Sequence, residues 1–136
     1  MITTGAISIS QALMVNQTLL ELNMEANEIG DDGITAIAGS LSNSSITKLD
    51  VSRCGISFVG VRSLTEVLSS NQNIRELWLW YNPITVDGAR MIMQAAVVNV
   101  VCEYVGTDSE YHDDEVKRMM SILDDRRRQD VRNYVV

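Results

Sequence analysis

Histidine, proline and cysteine are scarce in this chain of 136 residues, which contains one histidine, one proline and two cysteines. A single histidine leaves little material for a histidine-based catalytic centre or a metal site. The two cysteines, Cys54 and Cys102, are too few and too far apart for a disulfide scaffold, so buried reduced thiols are expected. No run of apolar residues approaches the about 18 needed for a membrane-spanning helix.

Positive charge is also in the minority, with 11 Lys and Arg against 18 Asp and Glu and a formal net charge of -7. This balance argues against nonspecific binding to nucleic acid or to an anionic membrane. The segment from Met1 to Val15 lacks the basic start and the continuous apolar core of a secretory signal. We therefore predict a cytoplasmic protein, without a bound cofactor.

Against this background the chain shows an internal repeat. Glycines recur at Gly5, Gly33, Gly60 and Gly88, at spacings of 28, 27 and 28 residues. One motif occupies residues 19–29, 46–56 and 74–84 in the same register. Each copy has apolar residues at its first, fourth, sixth and eleventh positions, and its ninth position is Asn27, Cys54 or Asn82.

The apolar spacing within each copy predicts a strand followed by a helix. Leu22 and Met24 are two residues apart and so point to the same side of an extended strand. After each strand, apolar residues at spacings of three and four predict a helix with one buried face. Each periodic glycine is expected to begin such a helix, at a point of close backbone approach or unusual dihedral angles.

The motif resembles the ribonuclease-inhibitor type of leucine-rich repeat from Gly5 to about Glu103. That family includes ribonuclease inhibitor, the sensor domains of NOD-like receptors, Ran GTPase-activating proteins and the actin-capping half of tropomodulins. The resemblance implies an α/β fold, a curved solenoid with parallel strands on its concave face and helices on its convex face. It implies binding rather than catalysis.

The repeats divide the chain unequally. We predict a leucine-rich repeat array over 1–108, with a half repeat at 1–13, three full repeats and a weak fourth strand, because Thr107 replaces the inward Leu79. Residues 109–136 are predicted to form an amphipathic capping helix, with Arg126–Arg128 as a solvated helix end. The missing strand before residue 13 suggests a C-terminal piece of a longer protein, whose uncapped edge could self-associate.

The residues between the inward ones on each strand predict a binding face. Trp78 and Trp80 alternate with the core positions and are followed by Tyr81, an aromatic group typical of binding hot spots. An alternative is that Met119, Met120 or Tyr134 of the terminal segment folds back over these rings. The candidate partner-binding residues are Trp78, Trp80, Tyr81, Glu76, Asp50, Lys48, Arg53, Asn23, Glu25 and Tyr104.

Catalytic motifs find no match in the sequence. Gly30-Asp31-Asp32-Gly33 lacks the Lys-Ser/Thr pair of a phosphate loop, and no calcium loop or Gly-x-Ser-x-Gly motif is present. We therefore expect a protein-protein interaction module and no enzyme, metal or cofactor. It would be the C-terminal sensor or regulatory part of a larger NOD-like-receptor-type protein, with partners that carry basic and apolar surface. The alternatives are a Ran-type GTPase-activating fragment and a tropomodulin-like actin-binding module.

Overall fold

Helices and strands alternate along the whole of the described chain. The computed structural model describes residues 3–134 and the side chains of 4–133; the outermost parts of the predicted half repeat and terminal helix, 1–2 and 135–136, lie outside this range. The elements are α1 (Thr3–Val15), β1 (Glu21–Asn23), α2 (Gly30–Leu41), β2 (Lys48–Asp50), α3 (Phe58–Leu68), β3 (Glu76–Trp78), α4 (Thr85–Val98), β4 (Tyr104–Gly106), a 3-10 turn (Ser109–Tyr111) and α5 (Asp114–Tyr134).

The strands form one parallel sheet in the order β1-β2-β3-β4. Each helix packs against the next along the chain, so a row of helices accompanies the row of strands. The predicted α/β solenoid with parallel strands is therefore confirmed. β4 is as long as the other three strands and pairs in register with β3.

The core lies between the sheet and the helices and is aliphatic. The inward residues of the two central strands, Leu49 and Leu77, are completely buried or nearly so. They meet buried residues on the inner faces of α2, α3 and α4: Ile34, Ile37, Ala38, Leu41, Val61, Leu64, Leu68, Ala89, Ile92, Met93 and Ala96. The predicted periodicity of strand and helix thus places the expected residues inside.

The periodic glycines lie inside the helices, whose starts precede them by two or three residues. The expectation that each glycine begins its helix was therefore wrong. At Gly60 the glycine instead allows one helix to pack closely against the preceding repeat. A Cβ added to Gly60 would lie 2.6 Å from both Asp31 Oδ1 and Ile34 Cγ2 of the preceding repeat. Neighbouring helices approach too closely here for a side chain.

Polar side chains join each repeat to the next. The Asn82 amide donates to Val51 O (2.9 Å), and its oxygen accepts from Cys54 N and Ile56 N, both at 3.0 Å. Cys54 takes the equivalent turn position and donates through Sγ to Met24 O (3.2 Å). These bonds satisfy the hydrogen-bonding groups of the buried turn backbone.

The terminal helix α5 closes one end of the core by packing on α4 and β4. Its inward residues Val116 and Leu123 are buried. The half-buried Arg126 donates to four main-chain carbonyls at the end of α4 and in the loop after it, those of Ala96, Val97, Asn99 and Cys102. The expected solvated helix end is therefore wrong for Arg126, which pairs with carbonyls that α4 leaves unsatisfied.

Candidate partner-binding surface

The strand-side surface consists of the outward side chains of β1–β4 and of the turns that follow them. The strand register aligns these residues as lateral neighbours: Glu21, Lys48, Glu76 and Tyr104 form one row, and Asn23, Asp50, Trp78 and Gly106 form the next. Each row joins equivalent positions of successive repeats, as the 27- and 28-residue spacing requires. Since parallel strands lie about 4.8 Å apart, side chains within a row contact one another directly.

Trp78 lies half-buried between side chains from both neighbouring strands. The Lys48 ammonium lies 4.7 Å from the centroid of its ring, and the Tyr104 ring lies 5.6 Å away at 57°. Within the described residues, the Trp78 indole nitrogen is buried without a hydrogen-bond partner. A buried donor left unpaired costs about 1–3 kcal/mol, so this position is not optimised for stability alone.

Trp80 lies across the last strand of the sheet. A Cβ added to Gly106 would lie 2.6 Å from Trp80 Nε1 and 3.0 Å from Tyr104 Oη, so only glycine leaves room for the indole here. Burial raises the pKa of the Tyr104 phenol beside it. Trp80 is therefore held by packing against β4, and it stays half-exposed.

Tyr81 is the aromatic residue of the group that projects farthest into solvent, with 65% of its surface exposed. Its backbone has a φ of 57°, and its amide donates to both carboxylate oxygens of Asp108 at 2.9 and 3.1 Å. The Arg53 guanidinium lies 4.6 Å from the centroid of the Tyr81 ring. A fixed backbone therefore presents an exposed ring, which suits an anchor for a partner.

The acidic and amide residues of the surface serve the local backbone as well. The side-chain oxygens of Asn23 and Asp50 accept the amides two residues ahead, from Glu25 (2.9 Å) and Ser52 (3.0 Å). These bonds hold the turn after each strand. Asn23 and Asp50 thus stabilise their turns whether or not a partner is bound.

Ion pairs link most of the remaining predicted residues. Glu76 lies 3.9 Å from the Lys48 ammonium and 3.2 Å from the Arg127 guanidinium, and Glu25 lies 4.0 Å from Arg53. These side chains are partly exposed, so each pair contributes about 1 kcal/mol or less. The ten predicted residues therefore form one continuous surface, from Asn23 and Glu25 at β1 to Tyr104 at β4.

The terminal helix borders this surface through a residue that the sequence did not single out. Arg127 extends over the Tyr104 ring, 5.4 Å from its centroid. Met119 and Met120, expected as an alternative cover for the tryptophans, pack against the hydrophobic core instead. The side chain of Tyr134 lies outside the described residues.

The position of Trp80 over β4 could have been inferred from Gly106 in the sequence, since a glycine there replaces the larger side chains of the same row.

The remaining features of the described residues are their metal-ligating side chains, their thiols and the lengths of their helices. No group of three or more His, Cys, Asp or Glu residues in 3–134 is arranged to hold a metal ion. Cys54 and Cys102 are free and buried, as predicted, and burial raises the pKa of Cys102 to about 11. Within the same residues no helix is long and apolar enough to cross a membrane.

Comparison with known sequences identifies the repeat. Residues 15–38 and 42–64 match the family model "Leucine Rich repeat". Mouse NACHT, LRR and PYD domains-containing protein 4C is 35% identical over 89 residues, which are 64% of this chain and 9% of that protein. Mouse ribonuclease inhibitor is 34% identical over 88 residues, 63% of this chain and 19% of the inhibitor. The chain thus spans less than a fifth of the length of these curated relatives.

Two solved structures share the fold over nearly the whole chain. Leiomodin-1 actin-binding site 2 has a TM-score of 0.76 at 18% identity and covers 97% of this chain and 79% of its own. The C-terminal domain of Caenorhabditis elegans tropomodulin has a TM-score of 0.66 at 18% identity, with 97% of this chain and 96% of its own covered. At this identity the likeness establishes the fold alone.

Proposed function

Because the chain is built from leucine-rich repeats of the ribonuclease-inhibitor type, we propose that it is a protein-interaction module that binds its partner on the strand-side surface. The observation that carries this proposal is the aromatic group at the turn after β3. Tyr81 is exposed on a backbone fixed by Asp108, and Trp80 lies half-exposed beside it on Gly106. Rigid, partly exposed aromatic side chains bind with little loss of conformational entropy.

The composition of the surface supports a binding role over a purely structural one. Two tryptophans and two tyrosines lie among Lys48, Arg53, Glu76 and Asp50, a mixture typical of interface centres with a polar rim. Trp78 keeps its indole nitrogen unpaired within residues 3–134, at a cost to stability. We propose a partner that brings apolar and basic groups to this surface, since the chain carries a net charge of -7.

The relatives suggest the larger context. Several of them are NACHT, LRR and PYD domains-containing proteins, and this chain matches about a tenth of their length. We propose that the chain is the C-terminal sensor or regulatory part of a NOD-like-receptor-type protein, that it acts in the cytoplasm and that it serves innate immunity. Binding of a protein partner, and not catalysis, is its proposed activity.

A pull-down with paired variants tests the proposal. The double variant Trp80→Ala, Tyr81→Ala removes the aromatic group, and Phe58→Ala, Val59→Ala removes two exposed apolar side chains from the start of α3 as a matched control. We expect the first variant to lose a partner that the wild type and the control retain. Far-ultraviolet circular dichroism, whose backbone signal depends little on the substituted side chains, reports whether each variant is folded. Equal capture by both folded variants would refute the strand-side surface as the binding site.

Actin binding is the second candidate function. It is favoured by the likeness to leiomodin-1 actin-binding site 2, which extends over 97% of this chain. The elongation of pyrene-labelled actin filaments in the presence of the chain tests it. Slower elongation would support this candidate, and unchanged elongation at high chain concentration would exclude it.

Self-association through the β1 edge is a further part of the proposed behaviour. Leu19 and Leu20, which precede β1, are 39% and 55% exposed, and β1 has a strand neighbour on one side only. Exposed apolar side chains beside an unpaired strand edge favour pairing with another chain. We propose weak association of two copies of the isolated chain at this edge, which preceding repeats would cover in a longer protein.

A further inference from the structure

A pocket opens on the strand-side surface away from the aromatic turn. Its volume is about 240 Å³, and it lies over the first three strands. The lining residues are Glu21, Leu22, Asn23, Lys48, Asp50 and Trp78. This volume is below the about 300–1,000 Å³ of small-molecule sites, so the pocket suits a single side chain of a protein.

The negative charge in this pocket is not balanced by the protein. Residues 1–47 contain no lysine, arginine or histidine. Within the described residues neither Glu21 nor Asp50 forms an ion pair. Lys48 is the one cation among the lining residues, and its ammonium group is shared between the Trp78 ring and Glu76. The lining thus holds two carboxylates and one cation, and that cation already contacts Trp78 and Glu76.

Asp50 is the more informative of the two carboxylates, because only 9% of its surface is exposed. One of its oxygens accepts the Ser52 amide, and the other has no hydrogen bond within residues 3–134. A carboxylate taken out of water without a cationic partner is costly. In the same row β1 carries Asn23, whose side chain makes the equivalent bond to Glu25, so the turn itself does not require the charge.

We propose that this pocket receives a cationic side chain of the partner, arginine in preference to lysine; the inference rests on the proposed function. Trp78 supplies an apolar wall for the methylene stem. Glu21 and Asp50 occupy diagonal positions on neighbouring strands, about 8 Å apart at their Cα atoms by strand geometry. A planar guanidinium between them donates to both carboxylates, whereas an ammonium group is a compact charge with no such fork.

The pocket is also well placed relative to the aromatic group. Trp78 forms one wall of the pocket and precedes Trp80 by two residues, so both side chains project from the same side of the sheet. A partner that contacts Trp80 and Tyr81 can therefore reach the pocket along the same side of the sheet. The arginine pocket, with Trp78 in its wall, and the exposed pair Trp80 and Tyr81 are thus two separate contact sites on one surface.

Nuclear magnetic resonance titration of the full chain tests the pocket without the natural partner. The probes are blocked arginine, blocked lysine and blocked citrulline, which is neutral and nearly isosteric with arginine. We expect arginine to shift the backbone amides of β1 and β2, and to bind about tenfold more tightly than citrulline. Equal binding of arginine and citrulline, or shifts confined to other parts of the chain, would overturn the proposal.

Two variants make the test specific. Asp50→Asn retains an oxygen for the Ser52 amide and removes the charge, and we expect it to weaken arginine binding about tenfold. Glu28→Gln removes an exposed carboxylate outside the pocket and is expected to leave binding unchanged. If Asp50→Asn binds arginine as the wild type does, the pocket is refuted. If Asp50→Asn binds arginine normally but Trp80→Ala, Tyr81→Ala still loses the partner in the pull-down, the pocket is refuted and the proposed function stands.

Discussion

The two ends of the repeat array differ, although the repeats themselves follow one pattern. At the β1 end, Leu19 and Leu20 are 39% and 55% exposed. At the β4 end, α5 covers the last repeat, and Val105, Val116 and Leu123 are buried together. The difference shows that burial in a solenoid depends on the next unit, since each repeat completes the core of its neighbour.

The inward leucines of the strands give the comparison at single positions. Leu22, Leu49 and Leu77 share one row of the sheet. Leu49 and Leu77 are almost wholly buried, whereas Leu22 on the edge strand is only half-buried. The same motif position therefore contributes different amounts to the free energy of unfolding along the array. The following predictions test the difference between the two ends, from the largest expected effect to the smallest.

Truncation of the inward leucines is expected to show the largest difference. Leu77→Ala leaves a cavity in a closed core and should lower the free energy of unfolding by about 3 kcal/mol. Leu22→Ala removes a half-buried side chain at the open end and should cost about 1 kcal/mol. Urea unfolding followed by circular dichroism measures both. Equal losses would mean that the edge strand is as well packed as the interior.

Removal of the Arg126 side chain tests the closed end. Arg126→Ala leaves four main-chain carbonyls without their charged donor, and we expect a loss of about 2 kcal/mol in the same unfolding measurement. The matched control is Arg128→Ala, since the Arg128 side chain is 69% exposed and within residues 3–134 pairs only with Asp125, so its loss should be within about 0.5 kcal/mol. If the two variants are equally stable, α5 is held by its apolar face alone.

The reactivity of the two thiols distinguishes the middle of the array, where Cys54 lies, from the closed end, where Cys102 lies. Burial raises the pKa of Cys102 from 9.0 to about 11 and also raises that of Cys54. At pH 8 the native Cys102 thiolate is therefore about a hundredfold less abundant than in the unfolded chain, and alkylation should be correspondingly slow. Arg126→Ala removes a cation that lowers the pKa of Cys102, but it also removes the bonds that hold the loop around this thiol. If opening of the loop dominates, alkylation of Cys102 accelerates more than that of Cys54; if the charge dominates, it slows further. Mass spectrometry of the peptides measures both rates.

The same shift predicts how stability depends on pH. Because the folded-state pKa of Cys102 is the higher one, the folded chain holds this proton more tightly than the unfolded chain does. The resulting stability is fully present below pH 9 and is lost as the pH rises towards 11. Cys102→Ala should flatten this part of the pH profile of unfolding. An unchanged profile would assign the alkaline loss to other groups.

Substitution at the open edge is expected to have the smallest effect on stability. Leu20→Glu replaces a side chain that is already 55% exposed, so the free energy of unfolding should change by less than about 0.5 kcal/mol. The same change should abolish the weak association proposed for the β1 edge. Sedimentation velocity over a range of concentrations measures it. A wild type that remains monomeric at every concentration would contradict that proposal.

Much of the candidate surface was predictable from the repeat, because the alternation of side chains along a strand is a local property. The rows that contain Lys48, Asp50, Trp78 and Tyr104 follow directly from the 27- and 28-residue spacing. The sequence did not reveal that Lys48, Arg53 and Arg127 each lie over an aromatic ring. Such contacts depend on side-chain rotamers, and for Arg127 on where α5 docks.

The sequence by itself determined the repeat, the strand register and the residues of the core, because each follows from spacings within and between neighbouring repeats. Only the tertiary structure decided how Arg126 satisfies the end of α4 and that Trp80 lies over Gly106. It also decided that Glu21 and Asp50 share a pocket in which Lys48 is the one cation among the lining residues. These features involve residues on different elements, whose distances are set by packing and not by spacing along the chain.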